Sequence, residues 1–401
     1  MKKTLVALAA LSAIGAFAQS SVSIIGTLDV GIKGVSAPNT NASGNSNSQT
    51  AINHGNTATN SLKFIGTEDM GGGLKANFLL EVNPTPSSSS NTNASLNGNG
   101  SYAGTPFNGE QYVSLSSNMG ELKIGVPNAG AFVTSGMMTP LGTGMASGYS
   151  TSFGRLGGQT STSALAGFPT VGSDINGTAG ARIVRSERSV QYVTTKFSGF
   201  SAMVDYAFGN NSTPTVTTGS NVNTTKYVGA TLMYGNGPLN VAYAYANISI
   251  DSFGVFGANT GTPAVVPAGQ LSGPALYAAN DVTVNMLAAN YTFGAATVYG
   301  GYTMSKQNNT ATATVDDSSW NIAGKYALNA NIDLVGNYLI RLSNVATVNN
   351  AKVYGGGADY KLSKRTNLYA RYELIDANTD NKTAGAGSVT NAFALGVKHT
   401  F

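Results

Sequence analysis

The sequence predicts an all-β chain: a transmembrane antiparallel β-barrel of about sixteen strands, with short turns at one end and long loops at the other. Three observations predict it. Segments of about ten residues alternate strictly between apolar and polar side chains, which is the period of a strand and the length a tilted strand needs to cross a bilayer. Tight turns and long connections rich in Asn, Ser, Thr and Gly take turns along the chain. The last residues, Leu395 to Phe401 (LGVKHTF), read as a strand with an aromatic end. In a barrel the last strand must pair with the first, because an open sheet edge cannot sit in lipid.

The elements follow in order. Met1-Lys2-Lys3, the apolar stretch Thr4 to Phe17 and the small-x-small site Ala16-Phe17-Ala18 predict a secretory leader over 1–18, too short to span a membrane as a helix. Residues 19–401 are then one barrel domain. In Val22 to Ile32, Val22, Ile24, Leu28, Val30 and Ile32 share one face, with Ser23, Thr27 and Asp29 opposite. The same pattern recurs in Leu74 to Val82, Phe200 to Phe208, Leu239 to Tyr245 and Ile332 to Arg341. Tight turns are predicted at Glu68 to Gly73, Ser117 to Gly120, Ser198-Gly199, Gly235 to Pro238, Gly294-Ala295, Asn329-Ala330 and Ser363 to Arg365. Long connections are predicted at 33–59, 84–106, 128–187, 209–225, 249–282, 307–317, 342–350 and 376–390. Tyr206, Phe208, Tyr234, Tyr291, Phe293, Tyr326, Tyr338, Tyr360, Tyr372 and Phe401 lie near strand ends or on apolar faces, as membrane-interface girdles require.

Composition narrows the function classes. Charged residues are only 10% of the chain, Gly numbers 50 and Cys 0. So little charge suits a barrel in lipid better than a soluble domain, and without Cys there are neither disulfides nor thiolate metal sites. Without Lys2 and Lys3 the formal charge of +4 falls to +2, from 20 basic against 18 acidic residues. No basic run suggests nucleic acid. The two histidines, His54 and His399, fall in a loop tract and on a lipid-facing strand end, so neither is placed for a catalytic triad or a metal cluster. No cofactor is expected.

Several stretches resemble the general porins of β-proteobacteria, the Neisseria, Comamonas and Burkholderia type. SVSIIGTLDVGI (Ser21 to Ile32) is similar to their first strand, and GTEDMGGGLKANFLLE (Gly66 to Glu81) to their strand-turn-strand signature. EQYVSLSSNMGELKIG (Glu110 to Gly125), SVQYVTTKFSGF (Ser189 to Phe200), YGNGPLNVAYAY (Tyr234 to Tyr245), GADYKLSKRTNLYARY (Gly357 to Tyr372) and LGVKHTF continue the likeness. The resemblance implies a sixteen-stranded homotrimeric channel in outer-membrane lipid, whose third external loop folds inward to narrow the pore. It also implies assembly by the barrel-assembly machinery through the strand ending in Phe401. The expected function is passive diffusion of ions and small hydrophilic solutes with a weak anion preference. The alternatives are a substrate-specific channel and a surface adhesin barrel. The sequence departs from the family's basic ladder. Ser61 and Ile65 flank Lys63, Ile124-Gly125-Val126 stands where Leu-Gly-Arg is common, and Gln191 stands where an arginine is expected.

A pore needs a polar lumen, a constriction and charges that set a field across it. By inward parity the wall candidates are Lys63, Lys75, Glu81, Glu110, Lys123, Arg341 and Arg371, with Glu121, Asp205, Lys325, Asp333, Glu373 and Lys398 on the same face. Segment 128–187 matches the constriction loop by position and carries Arg155, Asp174, Arg182, Arg185 and Glu187, followed by Arg188. The expectation is that acidic groups on this loop face basic groups on the wall. Gly26 and Gly396 are candidate contributors to a flat trimer-forming patch on the outside.

Overall fold

The computed structural model describes residues 21–36, 49–86, 107–148, 184–185, 188–208, 225–250, 280–309, 315–344, 350–376 and 389–401. The leader predicted over 1–18 lies outside them. The sheet begins with β1 (Ser21–Ser36), β2 (Gln49–His54), β3 (Ser61–Gly71), β4 (Leu74–Val82), β5 (Gln111–Ser117) and β6 (Gly120–Val126). A short helix, α1 (Gly130–Ser135), follows. Then come β7 (Ser189–Thr194), β8 (Phe200–Ala207), β9 (Thr225–Asn236), β10 (Leu239–Ile250), β11 (Asn280–Phe293) and β12 (Ala296–Asn309). The sheet ends with β13 (Val315–Ala327), β14 (Ile332–Ser343), β15 (Ala351–Lys361), β16 (Thr366–Asp376) and β17 (Val389–Thr400).

Every strand pairs antiparallel with its neighbours, and β17 returns to β1. β2 and β3 pair with the two ends of the same strand, β1: Val30 to Val35 oppose β2, and Ser21 to Thr27 oppose β3. They are two halves of one stave, so the seventeen strands make a closed barrel of sixteen staves. The closing ladder runs from Ser36↔Asn391 to Thr27↔Thr400. It is completed by reciprocal bonds between Gly26 and Phe401, of 3.0 and 3.1 Å. Closure is obligatory, since each backbone group unpaired in hydrocarbon costs several kcal/mol.

The two faces follow the alternation. Val22, Ile24, Val113, Val204, Ile322 and Leu395 stand on the outside, 54 to 68% exposed. Asp29, Asp205, Asp333, Asn337, Arg341 and Arg371 are buried on the lumen side. A twelve-residue strand rises about 40 Å. At a tilt of about 40° it covers roughly 30 Å of bilayer. All seven predicted tight turns are found, and the girdle aromatics Tyr206, Phe208, Tyr291, Phe293, Tyr326, Tyr360, Tyr372 and Phe401 are exposed on the outside.

Three expectations are corrected. The stretch 33–59 is not one long loop: β1 continues to Ser36, and β2 occupies Gln49–His54. β10, β11 and β12 likewise run past the bilayer-length segments. There the outer face turns polar at Asn247, Ser249 and Thr283 while the lumen face stays apolar at Ala246, Ile248, Val282 and Val284, since nothing forces an apolar outer face beyond lipid. Gly396 is not on the outer face: it lies on the lumen side, under the hydroxyl of Tyr369.

The seam has a measurable signature. Phe401→Ala removes the ring that lies over Gly26. It should destabilise the folded barrel by about 1–3 kcal/mol, read as a lower temperature for loss of the compact band on unheated gels. An unchanged transition would show that the ring adds nothing to closure.

Candidate functional site

The segment after β6 turns into the lumen and crosses it. Its base is built by the wall. Asn128 N–H donates to Glu110 Oε1 (2.9 Å), and Gln191 Nε2 donates to the Asn128 carbonyl (2.7 Å). Ala129 occupies the N-cap of α1 and has no side chain able to cap. The first helical N–H, on Gly130, instead donates to Asp205 Oδ2 on β8 (3.1 Å). A buried wall carboxylate thus satisfies an end group that the helix leaves open. Asp205 is held in turn by Gln191 Nε2 on Oδ1. Gln191, where the family resemblance implied an arginine, is a brace for this base.

A polar lumen was expected, and the part of it lined by β10 and β11 is apolar. Ala244, Ala246 and Ile248 of β10 and Val282, Val284, Met286 and Ala288 of β11 form an apolar inner wall, with Ala242 also buried on that face. Ala129, Ala131 and Met138 of the infolded segment bury against it, with Phe132 and Met137 partly buried alongside. This seat exists because small residues fill the lumen face of β10, leaving depth for α1. Covering it removes apolar surface from water.

Beyond α1 the chain is pinned by wall side chains. Asn290 Nδ2 donates to the Met137 carbonyl (3.4 Å), and Asn321 Nδ2 to that of Met138 (2.7 Å). Asn337 Nδ2 donates to the Ala146 carbonyl (2.8 Å), and Ala146 N–H donates to Glu373 Oε2 (2.6 Å). Two wall glycines permit the approach. A Cβ on Gly301 would overlap Met138, and one on Gly355 would overlap Ala146. Met145 N–H donates to the Asn56 carbonyl (2.7 Å), and the hydroxyls of Thr143 and Thr59 lie 3.0 Å apart. The segment therefore touches β8, β11, β13, β14, β16 and residues 55–60, which spans the lumen.

The predicted charges divide. Lys63, Glu81 and Glu110 are brought together beside the base: Lys63 Nζ lies 3.7 Å from Glu81 Oε1 and 3.9 Å from Glu110 Oε2. Lys123 pairs with Glu121 at 3.9 Å, its ammonium 4.8 Å from the centre of the Tyr112 ring. Arg341 pairs with Asp317 at 3.9 Å and Arg371 with Asp359 at 2.7 Å, all buried or nearly so. Arg185 donates to the Asn108 carbonyl and bridges to Asn128, near the base. Lys75 is exposed beside the β3–β4 turn, at the narrow-loop end rather than the crossing. Arg188 is exposed at the start of β7, with a φ of 54°, and is not gathered into the group. Arg155, Asp174, Arg182 and Glu187 lie outside the described residues. Across the described crossing, wall carboxylates meet backbone of the segment; the acids expected on the segment itself, Asp174 and Glu187, lie outside the described residues.

Sequence reasoning missed the pinning groups Asn290, Asn321, Asn337 and Gln191, because a lone amide carries no motif. It also missed the apolar seat. Its signal was the run of lumen-parity alanines at 242, 244 and 246.

A closed barrel with an apolar outside, a charged lumen and a segment folded across it has the architecture of a passive channel. The model of the Gram-negative porin family matches residues 4–381, and the chain belongs to that family. It is a passive channel of the outer membrane. Outer membrane porin protein 32 of Delftia acidovorans is 28% identical over the full length of both chains. An outer membrane porin protein of Bordetella pertussis is 27% identical, again over both full lengths. Among solved structures, the anion-selective porin from Comamonas acidovorans superposes with a TM-score of 0.69 at 23% identity, covering 96% of this chain and 100% of that one. A trimer form of Vibrio cholerae OmpT superposes at 0.59 with 15% identity, covering 95% and 99%. Both support the fold.

The seat can be tested. Met286→Glu places a carboxylate under α1 and should unseat it, so the single-channel conductance should rise and become noisy while the barrel still folds. Asn321→Ala removes one pin, worth about 1 kcal/mol, and should have a smaller effect in the same direction. Identical currents in both variants would show that neither contact holds the segment.

Proposed function

We propose that this porin is a general diffusion channel for ions and small hydrophilic solutes, with a modest anion preference, assembled as a homotrimer after removal of residues 1–18. One observation carries the sign. Six of the lumen acids are withdrawn from water, with Glu121 left more open at 30% side-chain exposure, while several bases reach into it. Asp29, Asp205, Asp317, Asp333, Glu81 and Glu110 are all less than 9% exposed. The side chains of Lys325 and Lys361, both paired to Asp333, are 42% and 41% exposed, and that of Lys63 is 26% exposed. Arg341 and Arg371 are sequestered with their acids and add little. Two lysines share the one carboxylate of Asp333, so net positive charge faces water there, whereas the one-to-one pairs of Arg341 and Arg371 largely cancel at a distance. The anion-selective Comamonas porin of like fold supports the same sign, and the trimeric OmpT supports the assembly.

Of the lumen-side tyrosines, Tyr227 and Tyr369 are buried in packing and Tyr112 lies under the Lys123 ammonium. An adhesin role would rest on loops outside the described residues.

The test is reversal potential in a planar bilayer under a KCl gradient. Wild type should conduct in steps of three with a reversal potential of anionic sign. Lys63→Gln leaves Glu81 and Glu110 without their counter-ion and should shift it toward cations. Lys325→Gln together with Lys361→Gln should shift it further. A cation-selective wild type would overturn the proposed sign, and an inserted but silent one would overturn the channel.

A further inference from the structure

The second stave of the barrel breaks between β2 and β3, where residues 55–60 leave the wall. The break leaves Leu28 and Asp29 of β1 without strand partners on that side. Asp29 is fully buried and fills the gap. Its carbonyl accepts from Gly55 N–H (3.0 Å), and its N–H donates to Asn60 Oδ1 (2.6 Å). Its Oδ2 accepts from Thr57 N–H (2.5 Å), Thr57 Oγ1 (2.8 Å) and Ala58 N–H (3.0 Å). Its Oδ1 accepts from the Tyr369 hydroxyl (2.5 Å).

Tyr369 starts two strands away, on β16. Its register partner on β17 is Gly396, which in turn opposes Gly31 of β1. A Cβ at Gly396 would overlap the phenol, and one at Gly31 would stand 2.7 Å from its oxygen. The two bare positions form a track along which the ring crosses the closing seam to reach Asp29. The same hydroxyl accepts from Asn56 Nδ2 (3.0 Å). Residues 55–60 then meet the far end of the infolded segment. Asn56 receives Met145 N–H, Thr59 meets Thr143, and Gly144 packs against the backbone of Asn56 and Thr57.

We propose that Asp29 and Tyr369 are positioning residues for the constriction, acting through residues 55–60 as a second stay on the far end of the infolded segment. The inference rests on reading that segment as the constriction. The near half sits on the apolar seat. The far half is held by the bonds of Ala146 to Asn337 and Glu373 and by Met145 packing on Tyr369, Ala392 and Ala394, together with this stay. Among the described residues Asp29 bonds to residues 55–60 and Tyr369, and it sets the aperture by fixing what the segment leans on.

The experiment compares the full-length wild type with Tyr369→Phe and Asp29→Ala in planar bilayers, with folding checked by the compact band on unheated gels. Tyr369→Phe keeps the ring and should keep that band. Its open-channel current should lose the single level of the wild type and fluctuate among several. A third protein adds Thr59→Cys and Thr143→Cys to Tyr369→Phe, in a chain that has no cysteine of its own. Oxidation should restore one level, and reductant should bring the fluctuation back. Wild-type currents in both single variants overturn the proposal while the channel reading stands. Fluctuation that persists after cross-linking also overturns it, by placing the effect elsewhere in the barrel. A silent wild type overturns the channel reading and this inference together.

Discussion

Backbone hydrogen bonding in a solvent that offers none is the constraint from which the rest of the structure follows. A strand in hydrocarbon must find a partner on each side, so the sheet must close. Closure brings β17 to β1, and the last bond of the ladder joins Phe401 to Gly26. A closed ladder consumes the backbone of the wall and leaves function to side chains and to chain that leaves the wall. It also encloses a lumen, and the infolded segment is the part of the described chain that crosses it.

The segment needs partners of its own, since its backbone is away from the sheet. The wall supplies them in two chemistries. β10 and β11 offer small apolar side chains against which α1 buries its own. β8, β13, β14 and β16 offer Asp205, Asn321, Asn337 and Glu373 to backbone groups that no ladder satisfies. Buried polar groups without partners are costly, so these amides and carboxylates are structural even though they line a channel. The break at 55–60 extends the same logic. Where the ladder lapses, one carboxylate collects the loose N–H groups, and the chain released from the wall becomes a rest for the segment.

How much of this could be read from the sequence depends on whether a signal is local. Face assignment is local: strict alternation placed Asp29, Asp205, Asp333, Asn337, Arg341 and Arg371 on the lumen side, and the structure agrees. The turns are local too, because Gly-, Asn- and Ser-rich pairs bring their own chemistry. Pairing is not local. Arg341 and Arg371 read as pore charges until β13 and β15 set Asp317 and Asp359 against them. The ends of the strands were misjudged because the outer face turns polar where lipid ends, although the ladder continues. The break at 55–60 was hidden inside a tract of polar residues, and only the register of β1 against two separate strands reveals it.

The burial of the acids has a consequence for how such a channel can vary. Glu81, Glu110, Asp205 and Glu373 each hold backbone near or within the crossing segment, so losing one alters the shape of the passage as well as its charge. Lys325 and Lys361 stand in water and hold no backbone of the described segment. Negative charge is therefore tied to architecture and positive charge is comparatively free. Substitution can make this lumen less cationic without touching the backbone of the described segment, but it cannot strip out the acids without rebuilding the constriction. Drift in selectivity is easier in one direction than in the other.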